Sequence, residues 1–532
     1  MELNWIDTGI ILLSLAVVMV VGWRAGGGED KTARDYFLAS DKLPWYAIGA
    51  SWVATSVSSE QIVGTVGMAY KVGMGVANWE WFSLPVVTLL LVFFIPIYLR
   101  TKISTIPEFL TRRFGPFCGD FYSVVMLIAY VFIFLPTILY SGALAFSDIT
   151  GIKFWIVLAT TVVLIGAYTI RGGLAAVVWT DVIQCIMLLG GGLVLFFVAL
   201  GHIRGGWSAM AHANPERFHL IRPPSDPYAP FLGLLAGSVG VFLFYNASNQ
   251  VMIQRVLGAR TQWDGLMGII FSGFINMLRP LVTCFLGFIV FYYCVKRGAM
   301  LSDPNLTFSF AVKTFGPTGL RGIIMAGFLA AIMGASSALT NSASTIFTLC
   351  IFRRFIRPQA SEVNTVKVGR WASAVVLLVA AAWCPLIGKA ETIFTYFQTG
   401  VTYLATPFIA VSLIGIFWRR AGSLAGSIGL LGGLTIQVVV ALSAKLLFVR
   451  GYYGTEIHWF YLAFVAEILT IVLVVGVSLL TDPAPAERVE EFVWKPALIL
   501  GDHGPNQPWY KSLLLWYFVY SVIWFTVYFY FR

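Results

Sequence analysis

The chain has 532 residues, of which 58% are hydrophobic, 15% aromatic and only 11% charged. With a mean hydropathy of +0.83, this composition excludes a soluble globular protein. The net charge of +10 does not indicate nucleic-acid binding, because multi-span membrane proteins retain excess Lys and Arg in their cytoplasmic loops. We therefore expect a protein of the cell (plasma or inner) membrane that contacts lipid and has no nucleic-acid partner.

Apolar runs long enough to cross a bilayer follow one another along the whole chain. At roughly 20 residues of helix per crossing, they predict an all-α polytopic membrane protein with about 14 transmembrane helices. The expected spans lie near residues 5–23, 45–71, 78–99, 120–147, 153–170, 174–202, 230–254, 266–295, 320–352, 370–388, 393–418, 422–449, 459–481 and 510–531. The distribution of Lys and Arg over the connecting loops favours termini that both lie outside.

Two of these spans are interrupted by small and polar residues, at 50–61 and at 245–250. Breaks at corresponding positions of two five-span halves are typical of an inverted-repeat transporter. Unwound backbone is tolerated at that depth only where it lines a cavity, and its free carbonyl groups can bind a cation there. Helix packing through small residues is the alternative, although Glu60, Gln61 and Asn249 are larger than packing requires.

The stretch 172–184 lies between two apolar runs, yet it contains paired glycines, Thr180, Asp181 and Gln184. A carboxylate at membrane depth is costly unless it faces a wet or protein-lined interior. Asp181 therefore predicts an ion or solute path, which indicates a carrier and not an enzyme.

Several stretches together resemble the sodium:solute symporter family, especially its sodium/sugar branch, over nearly the whole chain. The matching residues are 58–61 with Gly64, Gly67 and Tyr70, then 79–81, 105–109, 172–184, 249–250, 254–255 and 341–348. The resemblance implies a LeuT-like core of two inverted repeats of five helices, with broken first and sixth core helices. The implied divisions are an N-terminal helix and loop (1–43), the first repeat (44–202), an outer loop (203–229), the second repeat (230–420) and three accessory helices (421–532).

Sugar carriers of this family hold their solute at mid-membrane with side-chain amides, a carboxylate and a hydroxyl. The matching positions are Gln61, Glu80, Ser83 and Gln398. A sugar hydroxyl both donates and accepts, so such groups can select it by hydrogen bonds. A polar network that only satisfies buried groups is the alternative.

Two positions depart from the family pattern: Phe242 replaces a polar contact on core helix 6, and Asn276 replaces a lysine on core helix 7. Asn276 and the nearby Arg279 are further candidate solute ligands.

The resemblance also implies which residues form the gates of the transporter. Trp79 and Phe394 match outer-gate positions. Thr65 occupies a third outer-gate position, where a larger apolar residue can occur in the family. Tyr245 matches the inner gate.

The family's shared sodium site uses backbone carbonyls, here of Ala54, Val57 and Ala331, and two serine hydroxyls. The serine positions are Gly334 and Ala335, which have no side-chain oxygen. A hard cation needs several oxygen ligands. Three alternatives follow: weak sodium binding completed by water, a deeper site that includes Asp181 and Ser337, or transport that sodium does not drive.

Arg279 bears on the last alternative, because an arginine at mid-membrane needs an acid, carbonyl groups or an anionic substrate as its partner. Glu80 and Asp181 are the candidate acids. Arg279 could then act as a permanent internal cation that reduces ion dependence, or it could recognise an acidic sugar. Snorkelling towards an interface or pairing within the helix bundle is the structural alternative.

We therefore predict a secondary active transporter that moves a sugar or polyol-like small solute by alternating access. It is expected to be a sodium/solute symporter with a degenerate shared sodium site, with sodium as the possible coupling ion. Neither a cofactor nor an obligate protein partner is indicated. The alternatives are a sodium-independent or weakly coupled carrier of an acidic sugar or other organic anion, and a membrane sensor without its own signalling domain.

Overall fold

The computed structural model describes residues 4–27, 32–388, 393–449, 457–496 and 508–532, and between 393 and 399 it describes only the side chain of Phe397. The described residues form helices joined by short turns, and no strand occurs among them. The predicted all-α class is confirmed.

The α-helices of the described residues are α1 (Trp5–Ala25), α2 (Ala33–Leu38), α3 (Trp45–Ser56), α4 (Ser59–Val72), α5 (Asn78–Trp81), α6 (Ser83–Leu89), α7 (Ile95–Thr101), α8 (Ile106–Phe114), α9 (Pro116–Ala129), α10 (Leu135–Thr150), α11 (Phe154–Gly201), α12 (Gly206–Ala213), α13 (Phe231–Val239), α14 (Val241–Leu243), α15 (Gln250–Leu257), α16 (Gln262–Thr283), α17 (Phe285–Arg297), α18 (Thr307–Phe315), α19 (Leu320–Thr345), α20 (Glu362–Ile387), α21 (Ile393–Phe417), α22 (Ser423–Val449), α23 (Trp459–Leu480), α24 (Ala486–Val489) and α25 (Leu513–Tyr530). Short π-helical segments continue some of them, at Leu90–Phe94, Tyr130–Phe134, Phe244–Ser248 and Ile346–Ile356.

Eleven described helical segments are long and apolar enough to cross a membrane, and a bent pair from Phe231 to Ser248 makes twelve. The expected count of about 14 transmembrane helices stays a prediction. Two of the expected spans lie within α11, where two helices meet at a kink at the non-helical Gly173, with φ of 63° and ψ of −152°. Another expected span is divided into α3 and α4, which have 12 and 14 residues and are each too short to cross alone.

The predicted break in the first core helix is present. Val57 and Ser58 are both extended, with ψ angles of 103° and 169°, between the end of α3 and the start of α4. The carbonyl groups in the last turn of α3 therefore lose their intrahelical N–H partners. They also lie at the negative end of the α3 dipole.

The predicted break in the sixth core helix is also present. α13 and α14 meet at Gly240 with a bend of 45°, and the π-helical turn that follows ends at the extended residue Asn249. The Asn249 side chain caps α15 by accepting from the Val251 backbone N–H at 3.2 Å. The extended residues Val57, Ser58 and Asn249 lie within the predicted stretches 50–61 and 245–250, whereas the bend at Gly240 lies before the second stretch.

The two broken spans lie against the central helices of the protein. α3 packs on α11 and α16, and α11 packs along α19, whose residues are nearly all buried. Gly173 permits one close approach in this centre, because an added Cβ would lie 2.2 Å from the Tyr36 carbonyl oxygen. Ser51 of α3, Asp181 and Gln184 of α11 and Ser337 of α19 are consequently buried inside the protein.

Candidate functional site

Both helix breaks border one cavity of about 170 Å³. A single water molecule needs about 10–15 Å³, so the cavity has room for a small organic solute. Among the residues that line it are the predicted Gln61, Thr65, Trp79, Glu80, Ser83, Tyr245, Asn276 and Arg279. They come from α4, α5, α6, the π-helical turn after α14, and α16. The structure therefore brings together residues that are up to 218 positions apart in the chain.

A buried ion pair forms one wall of this cavity. The Arg279 Nη2 atom lies 3.4 Å from Glu80 Oε1, and the two side chains are 6% and 1% exposed. The hydroxyl of Thr283 lies 2.7 and 2.8 Å from the two Glu80 oxygens. Arg279 Nη1 donates to Asn276 Oδ1 at 2.8 Å and to the Ser56 hydroxyl at 3.1 Å. Arg279 therefore does not snorkel: it is fixed inside the bundle, and its acidic partner is Glu80.

Gln61 joins the same network from the first helix break. Its amide nitrogen lies 3.5 Å from Glu80 Oε1. When the amide is turned so that its nitrogen donates to the Ser56 carbonyl, its oxygen accepts from Arg279 Nη2 at 2.9 Å. In this orientation both ends of the amide are hydrogen-bonded. Gln61 then links the backbone of the break to the Glu80–Arg279 pair.

Two of the predicted gate residues, Trp79 and Thr65, lie beside this network. The Trp79 ring packs against Phe242, Trp459 and Phe460, with ring centroids 5.3–5.8 Å apart. Phe242, which replaces a polar family contact, thus belongs to an aromatic cluster. The Thr65 hydroxyl lies 2.7 Å from the Gln61 carbonyl oxygen and ties α4 to α16 through the Thr283 carbonyl at 2.9 Å.

Tyr245 also lines the cavity, on the side of the second break. Phe394 and Gln398 lie outside the residues whose side chains the structure describes, so their predicted positions are untested. The gating roles of all four predicted gate residues stay predictions.

A second cavity of about 650 Å³ adjoins the first. Glu60, Met68 and Trp79 line both. Charged side chains of Lys71, Asp148 and Asp303 line only the larger one. Trp79 therefore stands at the boundary between a small inner cavity and a wider, more polar one.

The predicted sodium ligands lie deeper, where α3, α11 and α19 meet. Asp181 is fully buried, and its Oδ2 atom accepts from the Ser51 hydroxyl at 2.5 Å and lies 3.6 Å from Arg255 Nη2. Arg255 Nε also donates to the Ser51 hydroxyl at 2.7 Å. Sequence reasoning offered Asp181 as a partner for Arg279, but the structure pairs Asp181 with Arg255.

Gly334 lies beside the other oxygen of Asp181. A Cβ built on Gly334 would be 2.8 Å from Gln184 Oε1, 3.2 Å from Asp181 Oδ1 and 3.5 Å from the Ala54 carbonyl oxygen. Among the described residues, Asp181 Oδ1 and both amide atoms of Gln184 have no hydrogen-bond partner. Three oxygen atoms thus surround the point where a serine side chain would begin.

The remaining predicted ligands lie on α19 or directly after α3. Val57 is in the first break, and Ala331 and Ala335 are buried on α19. The Ser337 hydroxyl donates to the Gly334 carbonyl at 3.0 Å. Sequence reasoning did not single out Gln184 as a ligand, although its spacing of three residues from Asp181 places both on one helix face.

Comparisons with known proteins agree with this geometry. A family model described as "Sodium:solute symporter family" matches residues 36–433. The sodium/glucose cotransporter of Vibrio parahaemolyticus is 33% identical over 466 residues, which cover 81% of this chain and 84% of that protein. Sodium/myo-inositol cotransporter 2 of Bos taurus is 29% identical over 535 residues, which cover 92% of this chain and 78% of that protein.

A solved structure of a Na⁺-coupled sialic acid symporter, in a substrate-bound outward-open state, has the same fold. Its TM-score is 0.79 at 22% sequence identity, and the alignment covers 91% of this chain and 99% of that chain. The predicted LeuT-like inverted-repeat core is thereby confirmed.

Proposed function

Because the chain belongs to the sodium:solute symporter family, we propose that it carries a neutral sugar or polyol in the cavity between its two broken helices. As a family member it is a sodium-coupled solute transporter of the membrane, and it is not an enzyme. The curated relatives include sodium/glucose and sodium/myo-inositol cotransporters, which supports a polyhydroxylated solute.

The Glu80–Arg279 pair is the observation that carries the choice of a neutral solute. The guanidinium group lies 3.4 Å from a carboxylate of the protein and also donates to Asn276 and Ser56, so it is already neutralised within the site. Glu60 lines the same cavity and is a second carboxylate. An anionic solute would have to displace Glu80 from Arg279 and then lie beside two carboxylates, which like-charge repulsion disfavours.

The same network suits hydroxyl groups. Glu80 offers acceptors, Arg279 offers donors, and the amides of Gln61 and Asn276 offer both. Because each sugar hydroxyl can donate and accept at once, fixed groups of both kinds recognise it, and a solute that lacks a hydroxyl leaves one of them unpaired.

We also infer a position for the coupling ion. Sodium binds among Asp181 Oδ1, Gln184 Oε1 and the Ala54 carbonyl oxygen, with the carbonyls of Val57 and Ala331 as further ligands. The Ala54 carbonyl is in the last turn of α3, where carbonyls lack helical partners and the helix dipole favours a cation. Arg255 and Ser51 engage only Oδ2 of Asp181, which leaves Oδ1 for the ion. An amide and a carboxylate oxygen then replace the two absent serine hydroxyls.

Transport proceeds by alternating access between the two repeats, residues 44–202 and 230–420. Trp79, Thr65 and Phe394 close the wider cavity once the solute is bound. Tyr245 then moves away on the other side, where the solute and the ion leave. In this proposal the wider cavity, with its Lys71, Asp148 and Asp303, is the entrance from outside.

A melting-temperature panel on the purified transporter tests the proposal. D-glucose and myo-inositol are compared with D-glucuronate and N-acetylneuraminate, each in sodium chloride and in choline chloride. A neutral polyol that raises the melting temperature more in sodium supports the proposal. A rise in melting temperature that only the two acids produce would favour the acidic-sugar carrier. Equal rises in melting temperature in both salts would favour a carrier that does not depend on sodium.

A further inference from the structure

The last described helix, α25, makes a row of side-chain hydrogen bonds to the segment that carries Glu80. The contacts join Tyr517 to Thr88 at 2.7 Å, Tyr520 to Ser83 at 2.7 Å, Trp524 to the carbonyl of Trp81, and Tyr528 to Asn78 at 2.5 Å. The spacing of three, four and four residues places all four aromatic side chains on one face of α25. This row crosses the junction of α5 and α6, where Phe82 has a non-helical ψ of 35°.

One contact of the row reaches the solute cavity. Ser83 is the first residue of α6 and lines the cavity, and its hydroxyl oxygen lies 2.7 Å from that of Tyr520. Tyr520 is fully buried. Its ring approaches α16 at Gly273, where an added Cβ would lie 2.8 Å from the ring. Tyr520 is therefore wedged between α6, which begins at Ser83, and α16, which supplies Asn276 and Arg279.

A serine hydroxyl has one hydrogen to donate and two lone pairs that accept. Without a partner it rotates freely and can present either role to a solute. A phenol is the more acidic hydroxyl and the stronger donor, so Tyr520 donates to Ser83 Oγ. The single hydroxyl hydrogen of Ser83 is then available to donate to another group. Ser83 lines the cavity, so a solute there can accept this hydrogen bond.

We propose that Tyr520 is a specificity-determining residue that fixes the Ser83 hydroxyl as a hydrogen-bond donor towards the solute. It acts through Ser83 and is itself a positioning residue outside the cavity. The inference rests on the proposed function, because it assigns to Ser83 one hydroxyl oxygen of a sugar or polyol. A helix outside the ten-helix core thereby helps to select the solute.

The test uses Tyr520→Phe, with Tyr517→Phe as the matched control. Both substitutions remove one phenol hydroxyl from the same face of α25, but Thr88 does not line the cavity while Ser83 does. Sodium-driven uptake of radiolabelled D-glucose, and in parallel of myo-inositol, is measured in proteoliposomes. We expect Tyr520→Phe to raise KM about 3- to 10-fold, the range for one net hydrogen bond, with an unchanged maximal rate. Tyr517→Phe should leave both parameters unchanged.

Two further measurements separate positioning from general support of the fold. If Tyr520 acts through Ser83, the double variant Ser83→Ala/Tyr520→Phe should have the same KM as Ser83→Ala alone. Four monodeoxy-D-glucoses are also tested as competitive inhibitors of D-glucose uptake. Wild type should bind one of them more weakly than D-glucose, and Tyr520→Phe should lose this difference. Equal effects of the two Tyr→Phe variants, or additive effects in the double variant, would overturn the inference. Wild type that carries neither D-glucose nor myo-inositol would overturn the proposed function and this inference with it.

Discussion

Glu80 and Arg279 are 199 positions apart in the chain, yet their side chains lie 3.4 Å apart in the wall of the cavity between the two broken helices. Each needs the other, because a lone charge buried at membrane depth is costly. The pair also leaves the Glu80 oxygens and the guanidinium N–H groups at the surface that a solute would meet. Structural support and solute binding thus depend on the same contact.

Glu80→Gln should abolish uptake and also destabilise the protein. Breaking one partner of a buried pair typically costs about 3–5 kcal/mol, since the other charge is left unpaired. The double variant Glu80→Gln/Arg279→Gln should recover melting temperature without recovering transport. Glu108→Gln, in a half-exposed pair with Arg112, is the control and should change the melting temperature little. Uptake by Glu80→Gln at the wild-type rate would remove Glu80 from the solute site.

Gln61→Ala should raise the solute KM about 5- to 150-fold while surface expression stays normal. The amide links the Ser56 carbonyl to Arg279, and removing one partner of a buried hydrogen bond costs about 1–3 kcal/mol. Gln437→Ala is the matched control, because Gln437 is buried and bonded to Thr406 but does not line the cavity. Equal KM values for the two variants would show that Gln61 has no special role in binding.

Gln184→Ala should raise the sodium concentration for half-maximal uptake about 10-fold, because sodium loses one of a small number of oxygen ligands. Solute affinity at saturating sodium should not change. Thr180→Val is the control, since the Thr180 hydroxyl bonds only to carbonyls of its own helix. A sodium curve that does not move in Gln184→Ala would contradict the inferred ion position.

Gly334 gives a second test of the ion position. Gly334→Ser alone should not improve sodium binding, because its Cβ would lie 2.8 Å from Gln184 Oε1. Adding Gln184→Ala makes room, so Gly334→Ser/Gln184→Ala should bind sodium more tightly than Gln184→Ala alone. The readout is again the sodium dependence of uptake. An equal sodium dependence of the double variant and Gln184→Ala would argue that serine at 334 cannot reach the ion.

Gly173→Ala should lower the melting temperature of the protein. Its φ of 63° with ψ of −152° is a glycine-only conformation, and the added methyl group would lie 2.2 Å from the Tyr36 carbonyl oxygen. The strain alone costs about 1–3 kcal/mol. Gly190→Ala, on the same helix with open space around it, should leave the melting temperature unchanged. Equal melting temperatures would mean that α11 is not bent at Gly173.

The sequence predicts the features that depend on local chemistry. Small and polar residues within apolar spans locate the breaks at Val57 and Asn249, and the family resemblance points to several polar residues of the cavity wall, among them Gln61, Glu80 and Ser83. The pairing of side chains from distant helices could not be predicted. Whether Asp181 faces Arg255 or Arg279 depends on how α11, α15 and α16 pack, and Ser83 meets Tyr520 across 437 positions of chain. Gln184 could have been found from its helical spacing to Asp181.

Uptake into proteoliposomes under an imposed sodium gradient tests the central claim most directly. Radiolabelled myo-inositol and D-glucose are compared with radiolabelled N-acetylneuraminate, and choline replaces sodium as the control. Accumulation of a neutral polyol that requires sodium, and its loss in Glu80→Gln, is the predicted result. Accumulation of the acid alone, or uptake of a polyol that is equal in choline and sodium, would contradict the account.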